Sequence, residues 1–234
     1  MNAIDITGLT KRYGAFPALD GLTLSLPPGQ IVGLLGENGC GKTTLLKVLA
    51  GALTRYEGTV SIHGHAPGPE SKALVSFLPD ASFLADGSTV EGCVRLYRDF
   101  FADFNEAKAR DLLQYFGLSL APKLSTLSKG MREKVQIALA MSRDAKVFLL
   151  DEPISGVDPA AREVILEGIV RDLSPDALVV VSTHLIHDLE PILDGAAFMR
   201  FGKVLLAGQV DDLRAQHGKS VDELFREVYR WSAR

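Results

Sequence analysis

The segment Gly36-Glu37-Asn38-Gly39-Cys40-Gly41-Lys42-Thr43 constrains this chain more than any other. It fits G-x-x-x-x-G-K-[ST] in full. The apolar run Ile31-Val32-Gly33-Leu34-Leu35 precedes it, and Leu45, Val48, Leu49 and Ala52 follow at i, i+3, i+4 and i+7. The order is buried strand, glycine-rich loop, helix. Glycines let the backbone wrap closely, so that successive N–H groups point at phosphate oxygens. A helix beginning near Lys42 aims its positive end at the same anion. Lys42 is placed for the outer phosphates, and the Thr43 hydroxyl is a hard oxygen suited to Mg²⁺. Cys40, inside the loop, reads as a tolerated small residue.

Two more apolar runs end in polar residues. Val147-Phe148-Leu149-Leu150 leads into Asp151-Glu152, and Ala177–Val181 leads into Ser182-Thr183-His184. Asp158-Pro159 opens a helix, with Asp as N-cap and Pro at the first helical position. Leu166, Ile169, Val170 and Leu173 form its apolar face. Continuous apolar strands alternating with helices predict a mostly parallel sheet covered on both faces. Between 86 and 143 strand signals vanish, and Thr89–Phe101, Glu106–Phe116 and Lys129–Ser142 read as helices. The last would carry Met131, Val135, Ala138, Leu139 and Ser142 on one face. Ala3–Leu26, broken by Gly14, Pro17 and Gly21, reads as short antiparallel strands. Ala196–Arg200 and Val204–Ala207 read as strands around Gly202, and Val221–Tyr229 as a closing helix.

The 234 residues allow one substantial α/β domain. No apolar stretch approaches the ~18–20 residues that cross a bilayer, and Met1–Leu9 has no leader pattern. The net charge of −4, with both signs interspersed, gives no support for nucleic-acid binding. Two cysteines, Cys40 and Cys93, without metal-type spacing fit a reduced compartment. His184 and His187 are three apart, but no acidic or thiol cluster completes a metal site around them.

A phosphate loop needs a carboxylate on a neighbouring strand to hold Mg²⁺ through water. Asp151, after four apolar residues, is placed for that. Strand alternation would aim Glu152 differently, leaving it to polarise water as a general base. His184 sits at a strand end, where the catalytic groups of open α/β sheets gather.

These residues resemble the nucleotide-binding domain of ABC transporters along essentially the whole chain. Gly36–Thr43 matches that family's Walker A loop, and Val147–Asp151 with Glu152 its Walker B strand. Leu127-Ser128-Lys129-Gly130-Met131 lies where the family has its LSGGQ signature. Ser155-Gly156-Val157-Asp158 resembles the D-loop, Ser182-Thr183-His184 the switch-histidine strand, and Tyr13 the aromatic that stacks on adenine. The resemblance implies an α/β fold: a P-loop NTPase core with a mostly parallel sheet, an N-terminal antiparallel β subdomain and an inserted α-helical subdomain. The core would span 1–85 and 144–234, and the helical signature subdomain 86–143.

The resemblance further implies an ATPase with ATP and Mg²⁺ as cofactors. Nucleotide would lie against Tyr13, Gly36, Glu37, Asn38, Gly39, Cys40, Gly41, Lys42, Thr43 and Thr44. Metal would be held by Thr43, Asp80 and Asp151, and Glu152 and His184 would be catalytic. Two subunits, identical or not, would pair head to tail, with Ser128, Lys129 and Gly130 of one over the ATP of the other and Asp158 in the D-loop. A separate transmembrane permease would complete an exporter, with this chain cytoplasmic and peripheral on the inner face of the membrane. The alternatives are a soluble ABC ATPase that remodels a cytosolic complex and a weakly hydrolysing, nucleotide-dependent regulator. Two positions depart from the family. The signature reads LSKGM, as in a subset of bacterial exporter ATPases, and a φ > 0 position there would strain Lys129. Where the family has a glutamine after the strand Leu74–Leu78, this chain has Asp80, which still offers a hard oxygen.

Overall fold

In the computed structural model, which describes residues 2–230, the strand–loop–helix unit is built around β3 (Gln30–Leu35) and α1 (Lys42–Leu49). β3 is the fourth strand of a six-stranded sheet that also contains β5 (Val75–Leu78), β6 (Val147–Asp151), β7 (Leu178–Thr183), β8 (Gly195–Arg200) and β9 (Lys203–Gln209). The order is β5-β6-β7-β3-β8-β9. All neighbours run parallel except β9, which returns antiparallel to β8. A second sheet, β2-β1-β4, is antiparallel: β1 (Ile4–Tyr13), β2 (Phe16–Leu26) and β4 (Glu57–Ile62).

The antiparallel strands are longer than the sequence suggested. Pro17 and Gly21 lie inside β2 and are absorbed by register shifts in its pairing with β1. Bulges let an edge strand carry such residues without ending. β4 is the strand expected before the His63-Gly64-His65 turn, but its start was not legible, because Glu57-Gly58-Thr59 dilutes its apolar pattern.

Alternate residues of the central strands feed two cores, since side chains along a strand point to opposite faces. Leu149, Val180, Leu34 and Ala197 join α1 and the antiparallel sheet on one face. Phe148, Leu150, Val179, Val181 and Phe198 join the helices on the other. Those helices are α3 (Val90–Phe100), α4 (Glu106–Tyr115), α5 (Lys129–Met141), α6 (Pro159–Val170) and the last described helix, α9 (Val221–Arg230); α2 (Pro69–Leu74), α7 (Ile186–Leu189) and α8 (Val210–His217) are short. Buried Val135, Ile137, Ala138 and Leu139 seat α5 in the core shared with β6. Met131, expected on the same face, is instead exposed one turn earlier, beyond the edge of the sheet.

α1 stops at Leu49 because Gly51 follows in the left-handed conformation at φ 65°, and Ala52 is exposed. The β8–β9 connection is a two-residue turn, Phe201-Gly202, with both φ positive, the form that suits twisted hairpins. This turn does more than reverse the chain. The Gly202 N–H donates to the Cys40 carbonyl at 3.0 Å, and its own carbonyl accepts from the Asp20 N–H at 3.0 Å. The glycine-rich loop is thereby tied to both sheets.

Candidate nucleotide site

The loop from Gly36 to Gly41 leaves β3 and enters α1 through two glycines in positive φ, Gly39 at 82° and Gly41 at 110°. A Cβ on Gly41 would stand 2.5 Å from the Ala18 carbonyl, so a glycine is required there on two counts. Lys42 is 5 % exposed and folds back over its own loop. Its ammonium donates to the Gly36 carbonyl at 2.7 Å and to the Glu37 carbonyl at 3.3 Å.

β6 ends at Asp151, which is 1 % exposed. One carboxylate oxygen, Oδ1, accepts from Ser182 Oγ at 2.6 Å and from Thr43 Oγ1 at 3.2 Å. The other, Oδ2, is buried without a hydrogen-bond partner. A buried acceptor with unspent capacity beside a threonine hydroxyl is a hard-oxygen donor set, and it fits Mg²⁺ with water and phosphate as the remaining ligands. Among the described residues no cluster of three or more His, Cys, Asp or Glu side chains forms a metal site.

Glu152 is not aimed by strand alternation, as the sequence suggested. The strand has ended, and Glu152 sits at φ 51°, a left-handed conformation that costs a non-glycine residue of order 1 kcal/mol or more. Its N–H is held by the Ser182 carbonyl and by Ser182 Oγ, both at 3.1 Å. The twist turns the carboxylate back over the loop. Oε1 lies 3.4 Å from the Lys42 ammonium, within ion-pair range but without hydrogen-bond geometry, and Oε2 lies 3.0 Å from His184 Nδ1. An ionised carboxylate only accepts, so this contact places a proton on Nδ1.

A cleft of about 460 Å³ opens over these groups. It is lined by Tyr13, Asn38, Gly39, Gly41, Lys42, Thr43, Thr44, Asp80, Glu152 and His184 from the expected set. Ser155, the first residue of the D-loop-like segment, lines it as well, as do Phe16 and Ala18, which the sequence did not mark. Phe16 pairs with Tyr13 across the end of the β1–β2 hairpin, and the two rings are 63 % and 51 % exposed. The Lys11 ammonium sits 5.5 Å from the Tyr13 ring centroid. Ser182 was also missed as a site residue. A serine closing the buried run Leu178–Val181 was the available signal.

The other expected residues stand apart from the cleft. Cys40 is buried behind the loop, and burial pushes its thiol pKa up, which argues against a reactive thiolate. Ser128 caps α5, its Oγ accepting from the Met131 N–H at 3.3 Å. Lys129 is the first residue of that helix and is not among the positive-φ residues, so the anticipated strain is absent. Its side chain lies across Gly156, where an added Cβ would meet its ammonium end. Gly130 faces Val157, with Cγ1 3.5 Å from where its Cβ would be. Asp158 caps α6 through the Ala161 N–H at 3.1 Å. The signature-like and D-loop-like segments therefore contact one another within one chain.

Residues 19–155 match the family model described as "ABC transporter". The chain is 28 % identical to the ABC-type transporter ATP-binding protein EcsA of Bacillus subtilis, across 100 % of this chain and 99 % of that one. It is 30 % identical to the Nod factor export ATP-binding protein I of Rhizobium meliloti, over 88 % of this chain and 64 % of that one. A solved ATP-binding subunit of an ABC transporter superposes with a TM-score of 0.86 at 30 % identity, covering 97 % of this chain and 99 % of its own.

Proposed function

Since the chain belongs to the ABC transporter family of ATP-binding subunits and is an ATPase, we propose that it runs a head-to-tail dimer that powers export through a separate membrane permease. The observation that carries the catalytic part is the position of Glu152, between Lys42 on one carboxylate oxygen and His184 on the other.

In this reading adenine stacks on Tyr13 beside Phe16, and the phosphates lie on the N–H groups of Gly36–Thr44. Lys42 exchanges its contact with Glu152 for the β and γ phosphates, so nucleotide binding frees the carboxylate. Glu152 then accepts a proton from water as the water oxygen bonds to the γ-phosphorus and the bond to the ADP oxygen breaks. His184 orients Glu152 and reaches the γ-phosphate. Mg²⁺ would be held by Thr43 Oγ1 and, through water, by Asp151 and Asp80, and would neutralise charge on the β and γ oxygens. Ser128 and Gly130 of a second subunit would close over the same ATP.

Residues 86–143 are read as the helical subdomain that moves against the core. Phe83, Leu96 and Phe100, 50 %, 44 % and 76 % exposed, put apolar surface on and just before α3. That surface suits a permease contact. No helix among the described residues is long and apolar enough to cross a membrane, so the path for substrate is assigned to another chain. A peripheral position on the cytoplasmic face follows from that assignment. The direction rests on the relative named for Nod factor export.

The test compares ATP turnover of wild type and Glu152→Gln, with the mass of each measured with and without Mg²⁺ and ATP. A loss of at least about a hundredfold in turnover, with an ATP-dependent dimer of the variant, is expected. Undiminished turnover would remove Glu152 as the base, and a variant that stays monomeric with ATP would sink the dimer.

A further inference from the structure

The last described helix ends beneath the phosphate loop. α9 is amphipathic, and Phe225 and Tyr229 line its buried side, with ring centroids 4.1 Å apart; Phe225 stacks on Phe198 of β8 at 6.3 Å. Its N-terminus is fixed from the core. Glu190 accepts from the Val221 N–H at 2.9 Å and the Asp222 N–H at 3.2 Å, while Arg214 pairs with the same carboxylate at 2.8 Å. About two turns later the buried Tyr229 hydroxyl donates to the Met199 carbonyl.

That position adjoins the first residue of the loop. A Cβ added to Gly36 would collide with Cys40 Sγ and would stand 2.7 Å from the Met199 carbonyl and 3.3 Å from the Tyr229 hydroxyl. The Glu37 backbone lies close enough to that hydroxyl to favour its ionised form slightly, against the larger opposing effect of burial. Burial holds the phenol above its ordinary pKa, so it stays protonated and remains a donor. One hydroxyl thus joins the end of β8 to the start of the loop, on the side away from the cleft.

We propose that α9 props the phosphate loop from behind, with Tyr229 as a positioning residue that sets nucleotide affinity through the Glu37 and Met199 backbones. The loop must present several N–H groups to one anion at once, and a backbone fixed beforehand loses less entropy on binding. The proposal rests on reading Gly36–Thr43 as the phosphate loop. It makes affinity depend on a helix that lines the loop from behind without itself contacting nucleotide.

The experiment uses the full chain and Mg²⁺ with ADP, which binds without turning over. Calorimetry gives Kd for wild type, Tyr229→Phe and Lys42→Ala, and hydrogen exchange reads the amides of 36–43 against those of β6 and β7. Tyr229→Phe keeps the ring and removes only the hydroxyl. The expected result is about fivefold weaker ADP binding, the worth of one buried hydrogen bond, with faster exchange confined to the loop. Unchanged Kd and exchange, while Lys42→Ala weakens binding, would overturn the role of Tyr229. Faster exchange throughout β6 and β7 would show a general loosening and would overturn it too. Undiminished binding in Lys42→Ala would instead remove the phosphate-loop reading on which the proposal stands.

Discussion

Ser182 carries more of the site than its size suggests. Its hydroxyl donates a hydrogen bond to Asp151 at 2.6 Å and, through Oγ and its carbonyl, Ser182 holds the N–H that keeps Glu152 at φ 51°. Ser182→Ala would leave a buried carboxylate short of a donor, at a cost of about 1–3 kcal/mol. It would also let the Glu152 backbone relax away from the cleft. A displaced base is expected to lower turnover by about tenfold or more. Steady-state ATPase assays beside a thermal melt check this, and an unchanged rate would separate Ser182 from the geometry of Glu152. Residues read from motifs, such as Lys42, Asp151 and His184, were legible because each chemistry needs one side-chain type at one spacing. Ser182 was not, because it acts through contacts between two strands far apart in sequence, and Phe16 was not, because no motif marks the residue that faces Tyr13 across the β1–β2 hairpin. The same holds for Lys129, whose replacement of a glycine raised a question of strain that only the helical start of α5 resolves.

α5 meets the core through an unusual pair of acids. Glu133, four residues after Lys129, is pushed up to about 7, first by burial and then by the negative charge of Asp80, with Lys129 pulling the other way. It accepts a hydrogen bond from Gln136 Nε2 at 3.3 Å. In the unfolded chain the carboxyl titrates near ~4.3. Between that value and about 7 the native state holds a proton that the unfolded state has lost, so stability falls as pH rises through this window and is level above it. Glu133→Gln removes the titration. The variant is expected to melt above wild type at pH 8, with the difference closing toward pH 5. Melts at equal margin across that range would mean that Glu133 is solvated and that α5 docks without this cost. Such a charge is invisible in the heptad-like run of α5. Periodicity announced the helix, and only the packing of the fold buries Glu133 and sets Asp80 near it. The extents of β1, β2 and β4 were likewise hidden, since bulges and a glycine blur the alternation that marks a strand.

At the scale of the molecule, the nucleotide cleft is the place where the two cores meet. Tyr13, Phe16 and Ala18 come from the antiparallel sheet, while Glu152 and His184 come from the ends of β6 and β7 in the parallel sheet. Behind the cleft, Gly202 ties the loop to both sheets through Cys40 and Asp20. A ligand spanning these elements stabilises only arrangements in which both are folded. Linkage then sets the size of the effect: about 2.7 kcal/mol when free nucleotide is a hundred times its Kd. For a chain of this length that corresponds to a rise in Tm of about 5–10 °C. Scanning calorimetry of wild type with Mg²⁺ and ADP should therefore show one transition that moves as a whole. Lys42→Ala should show the same transition with little shift, because the side chain removed touches only its own loop and Glu152. If the trace instead splits, with nucleotide moving one peak and leaving the other, the two cores fold independently. Contacts from Tyr13 and Phe16 to the base would then be too weak to join them, and the hairpin would be an accessory to the site rather than one of its walls.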